Sequence, residues 1–222
     1  MRLTAILEKT GMRQNKVYSG KRKEQTVRFI GITGGVGAGK SAILNYFSKM
    51  EHTRVMLADE IAHDLMKPGT SCYDRLKQCF GQEDIYLPDG SFDRGKMAQV
   101  IFSDADKREK LNAIVHPAVK EYVIRAAEEE RQKGELELLI LEAALLIEEH
   151  YDTICDELWY IYTSEENREK RLMESRGYSK EKVHQIFASQ LKEEVYREHC
   201  KAVIDNNGSY EDACRQIEEQ LR

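Results

Sequence analysis

The chain has 222 residues, of which 41% are hydrophobic and 33% charged, with a formal net charge of −5. That length carries one α/β core with inserted pieces, and a core of that size needs no disulfide or metal staples. The acidic balance argues against a duplex nucleic acid as partner, and no stretch approaches the ~20 apolar residues of a membrane span. The five cysteines, Cys72, Cys79, Cys155, Cys200 and Cys214, form no C-x-x-C pair, so neither a zinc ribbon nor a thioredoxin-like motif is indicated. The N-terminus lacks the apolar core of a secretory signal, and reduced thiols in a cytoplasmic protein are the expectation.

Residues 1–26 are polar and basic without apolar periodicity, and they read as an extension ahead of the folded domain at 27–222. Val27 to Thr33 is a short β-type run ending in a glycine cluster. A helix follows from Ser41 to Met50 with Ile43, Leu44 and Phe47 on its apolar side, and Arg54 to Ala58 forms a second strand. Asp59 opens a helix that stops at Pro68-Gly69. The order strand–loop–helix–strand begins a parallel α/β sheet. Residues 70–133 are mostly helical, with a turn at Leu87-Pro88-Asp89-Gly90. Leu138 to Leu141 is an apolar run suited to a strand buried on both faces. Leu158 to Tyr162 and Ala202 to Asp205 complete five strands. Residues 165–200 read as charged helices broken at Gly177, and 210–221 as a closing helix. Trp159, Tyr160 and Tyr162 are expected in sheet packing.

Gly34-Gly35-Val36-Gly37-Ala38-Gly39-Lys40-Ser41 matches G-x-x-x-x-G-K-[ST] between a strand and a helix, the context a phosphate-binding loop requires. Such a loop turns backbone N–H groups toward phosphates, and the helix N-terminus adds a positive dipole end. Lys40 supplies a charge to the β- and γ-phosphates, and the Ser41 hydroxyl can ligate Mg²⁺. The expected ligands are therefore ATP and Mg²⁺. The Asn-Lys-x-Asp signature of a GTPase is absent, since Asn15-Lys16 lies in the extension without the Asp. The run Leu138-Leu139-Ile140-Leu141 ends in Glu142, which either holds a magnesium-bound water or is a strand-end acid facing solvent. Asp59 follows a strand end, where ligands gather in such sheets. It is either a base for an acceptor hydroxyl or a helix N-cap. His116, before Pro117, is read at a helix boundary or bend, lining an acceptor pocket or hydrogen-bonded in the interior.

In order along residues 28–208, several segments resemble the dephospho-CoA kinases. They are Ile30-Gly31-Ile32-Thr33 with the phosphate loop, Ala58-Asp59-Glu60-Ile61-Ala62, Pro68-Gly69 and Leu111-Asn112-Ala113-Ile114-Val115-His116-Pro117. They continue with Ala144-Leu145-Leu146-Ile147-Glu148, Lys170-Arg171-Leu172, Arg176, Gln190 and Val203-Ile204-Asp205-Asn206-Asn207-Gly208. The Asn-Ala-x-x-His-Pro and Ile-Asp-Asn segments make the likeness specific. It implies a P-loop kinase with a parallel five-stranded sheet, an acceptor-binding helical region at 59–133 and a helical lid at 165–200. The reaction implied is transfer of the ATP γ-phosphate to the ribose 3′-hydroxyl of dephospho-CoA. By the same likeness Asp59 is the catalytic carboxylate, Arg171 and Arg176 are phosphate-clamping lid arginines, and Asn206 lies beside the adenine. A solvated helix face is the other reading of the two arginines.

The chain departs from the family pattern in four places. Leu57 replaces the first acid of Asp-Ala-Asp, His63 stands where an Arg is common, Glu142-Ala143-Ala144 replaces Asp-x-Pro, and Arg168 replaces a lid Gln. The competing functions are another P-loop kinase of a nucleoside, nucleotide or related metabolite, and a P-loop protein that senses nucleotide without turnover. Because every such feature begins near residue 28, deletion of residues 1–25 is expected to leave solubility, melting temperature and transfer activity at full-length values. A markedly lower melting temperature in the truncated protein would make the extension part of the fold.

Overall fold

The computed structural model describes residues 27–222. The basic extension assigned to residues 1–26 lies outside them. The strands are β1 (Arg28–Thr33), β2 (Thr53–Leu57), β3 (Leu138–Glu142), β4 (Glu157–Tyr162) and β5 (Ala202–Asp205). They form one sheet in the order β2-β3-β1-β4-β5, and every adjacent pair is parallel.

Side chains alternate between two cores, as the two-residue period of a strand dictates. Phe29, Leu139, Leu141, Leu158 and Tyr160 face one core, and Ile30, Ile140, Trp159 and Ile161 face the other. Both faces must therefore be covered, which explains why these strands read as continuous apolar runs. The second face is closed by α1 (Lys40–Phe47) and α9 (Tyr210–Leu221), through Ile43, Phe47, Ala213 and Ile217. The first is closed by α2 (Ala58–Leu65), α3 (Ser71–Phe80), α4 (Arg94–Ser103) and α5 (Ala105–Lys133), with Leu76, Phe80, Ile114 and Val123 in the core. Trp159 and Tyr160 are buried, as expected of sheet packing.

Two local readings are corrected. The helix after β2 is capped by Leu57, whose backbone is still extended, so Asp59 sits in the first turn of α2 and caps nothing. Its charge there favours the helix through the dipole. His116 is at no boundary, because Pro117 lies inside the 29-residue α5. The missing proline N–H costs one helical bond, offset by the capping Asp104 side chain, which accepts from Asp106 N and Lys107 N, and by burial of Ile114, Val115, Val119 and Val123. The charged segment divides further into α6 (Glu165–Arg176), α7 (Lys180–Ala188) and α8 (Glu193–His199), with Gly177 closing α6 at φ 63°.

Ile140 is fully buried in the strand between β2 and β1. Replacing it with Ala should cost about 2–5 kcal/mol of unfolding free energy. Chemical denaturation of the two proteins measures this, and a loss below about 1 kcal/mol would mean the site repacks fully.

Candidate active site

The loop between β1 and α1 is held from behind by groups far away in sequence. The buried Ala38 carbonyl accepts from Asn206 Nδ2 at 2.7 Å, Thr163 Oγ1 at 3.1 Å and Arg171 Nη1 at 3.4 Å. Arg171 Nη2 also donates to the Asn206 carbonyl at 2.8 Å. Gly39 has φ 86°, and a Cβ there would stand 2.4 Å from Asn206 Nδ2. Only glycine meets both demands. On the neighbouring turn Arg168 lies against Gly35, donates from Nε to the Val36 carbonyl at 2.9 Å, and bonds the Gln190 side chain. Its guanidinium sits 4.2 Å from the centre of the Phe187 ring.

In front of the loop lies a cavity of about 860 Å³. All of Gly35, Val36, Gly37, Ala38, Gly39, Lys40 and Ser41 line it, together with Asp59, Glu142, Arg171 and Arg176. The structure thus brings most of the expected site residues to the carboxyl edge of the sheet. Asn206 does not line this cavity. It is buried behind the loop, where it fixes the Ala38 carbonyl.

Lys40 Nζ donates to the Gly34 carbonyl at 2.7 Å and stands 3.7 Å from Glu142 Oε1. Burial pushes the Lys40 pKa down, opposed by Glu142, while Arg168 and Arg176 add to the lowering. Burial pushes the Glu142 pKa up, opposed by Lys40 and reinforced by Asp59. Glu142 is therefore not the solvent-facing acid of the simpler reading. It faces the cavity, opposite Leu57 in the register of β3 with β2.

A second cavity, of about 240 Å³, lies between α2, α5 and the segment after β3. Asn112, Val115, His116, Ala143 and Tyr151 line it, and Asp59 lines both cavities. His116 Nδ1 is 2.7 Å from Glu149 Oε1, and Lys120 Nζ donates to the Glu149 carbonyl at 2.6 Å. His116 is thus both a cavity wall and a hydrogen-bonded group. Thr163 and Glu149 were not singled out by sequence reasoning. A Thr after a strand and a Glu in an acidic run carry no pattern that marks them.

A parallel sheet with a phosphate loop after its first strand, an acid after the second and arginines from the helix after the fourth defines a P-loop kinase. A dephospho-CoA kinase family model matches residues 28–212. A dephospho-CoA kinase of Geobacter sulfurreducens is 36% identical over 193 residues, covering 87% of this chain and 96% of the relative. One from Listeria monocytogenes is 37% identical over 190 residues, covering 85% and 92%. The chain belongs to the dephospho-CoA kinase family. Among solved structures, TT1252 from Thermus thermophilus superposes with a TM-score of 0.68 at 30% identity, over 88% of this chain and 97% of that one. Dephospho-CoA kinase from Campylobacter jejuni, at 0.62 and 18% identity over 87% and 97% of the two chains, shares the fold.

If Asn206 fixes the loop, Asn206→Ala should raise the KM for ATP about tenfold while lowering stability by only ~1 kcal/mol, since Thr163 and Arg171 still serve the Ala38 carbonyl. Initial rates against ATP, with a melting curve, test this. An unchanged KM would show that the loop holds its shape without Asn206.

Proposed function

We propose that this chain transfers the γ-phosphate of ATP to the ribose 3′-hydroxyl of dephospho-CoA. Family membership over most of the chain supports the substrate pair. The single structural observation that carries the mechanism is that Asp59 lines both the phosphate-loop cavity and the cavity beside α5. A carboxylate there stands between a donor phosphate and an acceptor hydroxyl.

In this reading the loop N–H groups and the N-terminus of α1 hold the β- and γ-phosphates. Lys40 exchanges the Gly34 carbonyl for phosphate oxygens, with Arg171 and Arg176 following the charge that spreads over the transferred group. Asp59 orients the 3′-hydroxyl and takes its proton. The bond from the γ-phosphorus to the β,γ-bridging oxygen breaks, a bond to O3′ forms, and ADP leaves. The hard oxygens of Ser41 and Glu142 face the same cavity, a donor set that fits Mg²⁺ bound mainly by phosphates and water. Ser41 would be its direct protein ligand and Glu142 would hold one of its waters, and the ion would neutralise phosphate charge when bound. Asn206 serves the nucleotide site from behind, through the Ala38 carbonyl.

Residues 59–133 form the acceptor side and 165–200 a lid whose contact with the loop runs through Arg168 and Arg171. No helix among the described residues is long and apolar enough to cross a membrane. All five cysteines are free, which fits a reducing cytoplasm, and the net charge of −5 gives nucleic acid no attraction.

Leu57 offers no second carboxylate, and the neighbouring Glu60 lines the phosphate-loop cavity without reaching the one beside α5, so Asp59→Asn isolates the proton transfer. The variant should fold and bind ATP normally yet lose ~10²–10⁴ in kcat with dephospho-CoA. Activity within about fivefold of the parent would remove the base from Asp59. Lys40→Ala should cost several kcal/mol of transition-state stabilisation, read as a fall of about 10²–10³ in kcat. A variant within about threefold of the parent kcat would overturn the phosphate-loop assignment.

A further inference from the structure

Arg168 is the one buried basic side chain among the described residues, and it packs against the phosphate loop. It forms no ion pair among them. Glu165, in the first turn of α6, acts on it only through space and is itself exposed. A cation drawn from water without an anionic partner is costly. Its presence here calls for a task that offsets the cost, and the mechanism above gives it none.

The guanidinium is held from several sides. A Cβ on Gly35 would collide with Cζ, Nη1 and Nη2 together, so the group packs over the bare Gly35 Cα. The Phe187 ring centre lies 4.2 Å from Cζ, and the Gln190 side chain accepts from Nη2. Phe187 is on α7 and Gln190 lies just beyond it. So fixed, Nε donates to the Val36 carbonyl at 2.9 Å. A trans peptide is planar, with its carbonyl and its N–H on opposite sides. Drawing the Val36 carbonyl toward Arg168 therefore turns the Gly37 N–H away from it. Gly37 lines the phosphate-loop cavity, has φ 85°, and its N–H has no acceptor among the described residues. The pattern recurs two residues on, where three donors hold the Ala38 carbonyl and the Gly39 N–H is likewise left without an acceptor among the described residues. Alternate peptides of the loop are thus set from behind.

We infer that Arg168 is a positioning residue for the donor polyphosphate. It acts through the Val36–Gly37 peptide, which it orients so that the Gly37 N–H meets a phosphate oxygen, and its own charge is balanced only when ATP is bound. Arg168 does not line the cavity, so it works at one remove from the phosphates. A planar fork suits the task, because one side chain must bond Val36, bond Gln190 and lie over Gly35 and Phe187 at once. Since Phe187 and Gln190 fix that fork, α7 and the loop are set together. The inference rests on ATP being the donor in the proposed transfer.

The test compares the parent with Arg168→Met, which fills similar space but has neither donor nor charge, and with Arg168→Lys, which keeps the charge and loses the fork. Loop contacts made alike in ground and transition states act on KM rather than kcat. Arg168→Met should therefore raise the KM for ATP about tenfold, with kcat within about threefold and the KM for dephospho-CoA within about twofold of the parent. Arg168→Lys should fall between the two. Without nucleotide the Met variant should melt within about 3 °C of the parent, because relief of the unpaired charge offsets the lost bonds. Its rise in melting temperature at a fixed ATP concentration should be smaller than the parent's. A merely structural residue gives the reverse, a lower melting temperature without nucleotide and an undiminished rise with ATP, and that result, or a KM for ATP within about twofold of the parent, would overturn the inference. Should Arg168→Met not fold, Arg168→Lys decides: a KM for ATP raised at least about threefold supports the positioning role, and a smaller change overturns it. The melting measurement needs no acceptor, which separates the two readings. A parent that binds ATP and fails to phosphorylate dephospho-CoA refutes the proposed function, whereas a parent that turns over while Arg168 variants bind ATP normally refutes only the role of Arg168.

Discussion

The carbonyl oxygen of Ala38 ties the active site together. Three donors converge on it: Thr163 from the end of β4, Arg171 from α6 and Asn206 from the end of β5. A buried carbonyl must be satisfied, and here the partners come from the two strands on one side of β1 and from the first helix of the proposed lid. The loop therefore takes its shape from the half of the sheet that lies far along the chain. Two glycines allow the close approach. Gly39 accepts a backbone angle other residues resist and leaves room for Asn206, and Gly35 leaves room for the Arg168 guanidinium.

The other half of the sheet supplies charge. Lys40 and Glu142 are both drawn from water, and burial pushes each toward its neutral form. Their separation of 3.7 Å offsets part of that cost without locking them into a tight pair. A buried pair of this kind is a poor source of stability, because desolvation consumes much of the attraction. Its retention makes physical sense where a polyphosphate and its cation occupy the same space. Arg168 and Arg176 then add positive potential around Lys40, a field suited to a highly anionic ligand.

Much of this arrangement is legible in the sequence because it depends on local pattern. The apolar runs at 28–33, 138–142 and 157–162 declare strands buried on both faces, and the phosphate loop declares its own backbone. Resemblance adds what pattern cannot, namely the acceptor and the roles proposed for Arg171 and Asp59. What stayed hidden depends on long-range contact. Thr163 matters only because β4 delivers it to Ala38, 125 residues away in sequence. Arg168, a departure by resemblance, proves to be a buried bridge between the loop and Gln190. Pro117 misleads in the other direction, because the apolar face of α5 carries the helix straight past it. Asn206 braces the loop from behind through the Ala38 carbonyl, a contact that no local pattern announces.

The two cavities that meet at Asp59 are proposed to serve one acceptor. The direct measurement gives purified protein ATP with dephospho-CoA, adenosine or CMP in separate reactions and follows ADP release together with the site of phosphorylation on the product. The account predicts rapid ADP release with dephospho-CoA, a new phosphate on its ribose 3′-oxygen, and far lower kcat/KM for adenosine and CMP. Preference for adenosine or CMP, or nucleotide binding with no acceptor-dependent turnover, would contradict it.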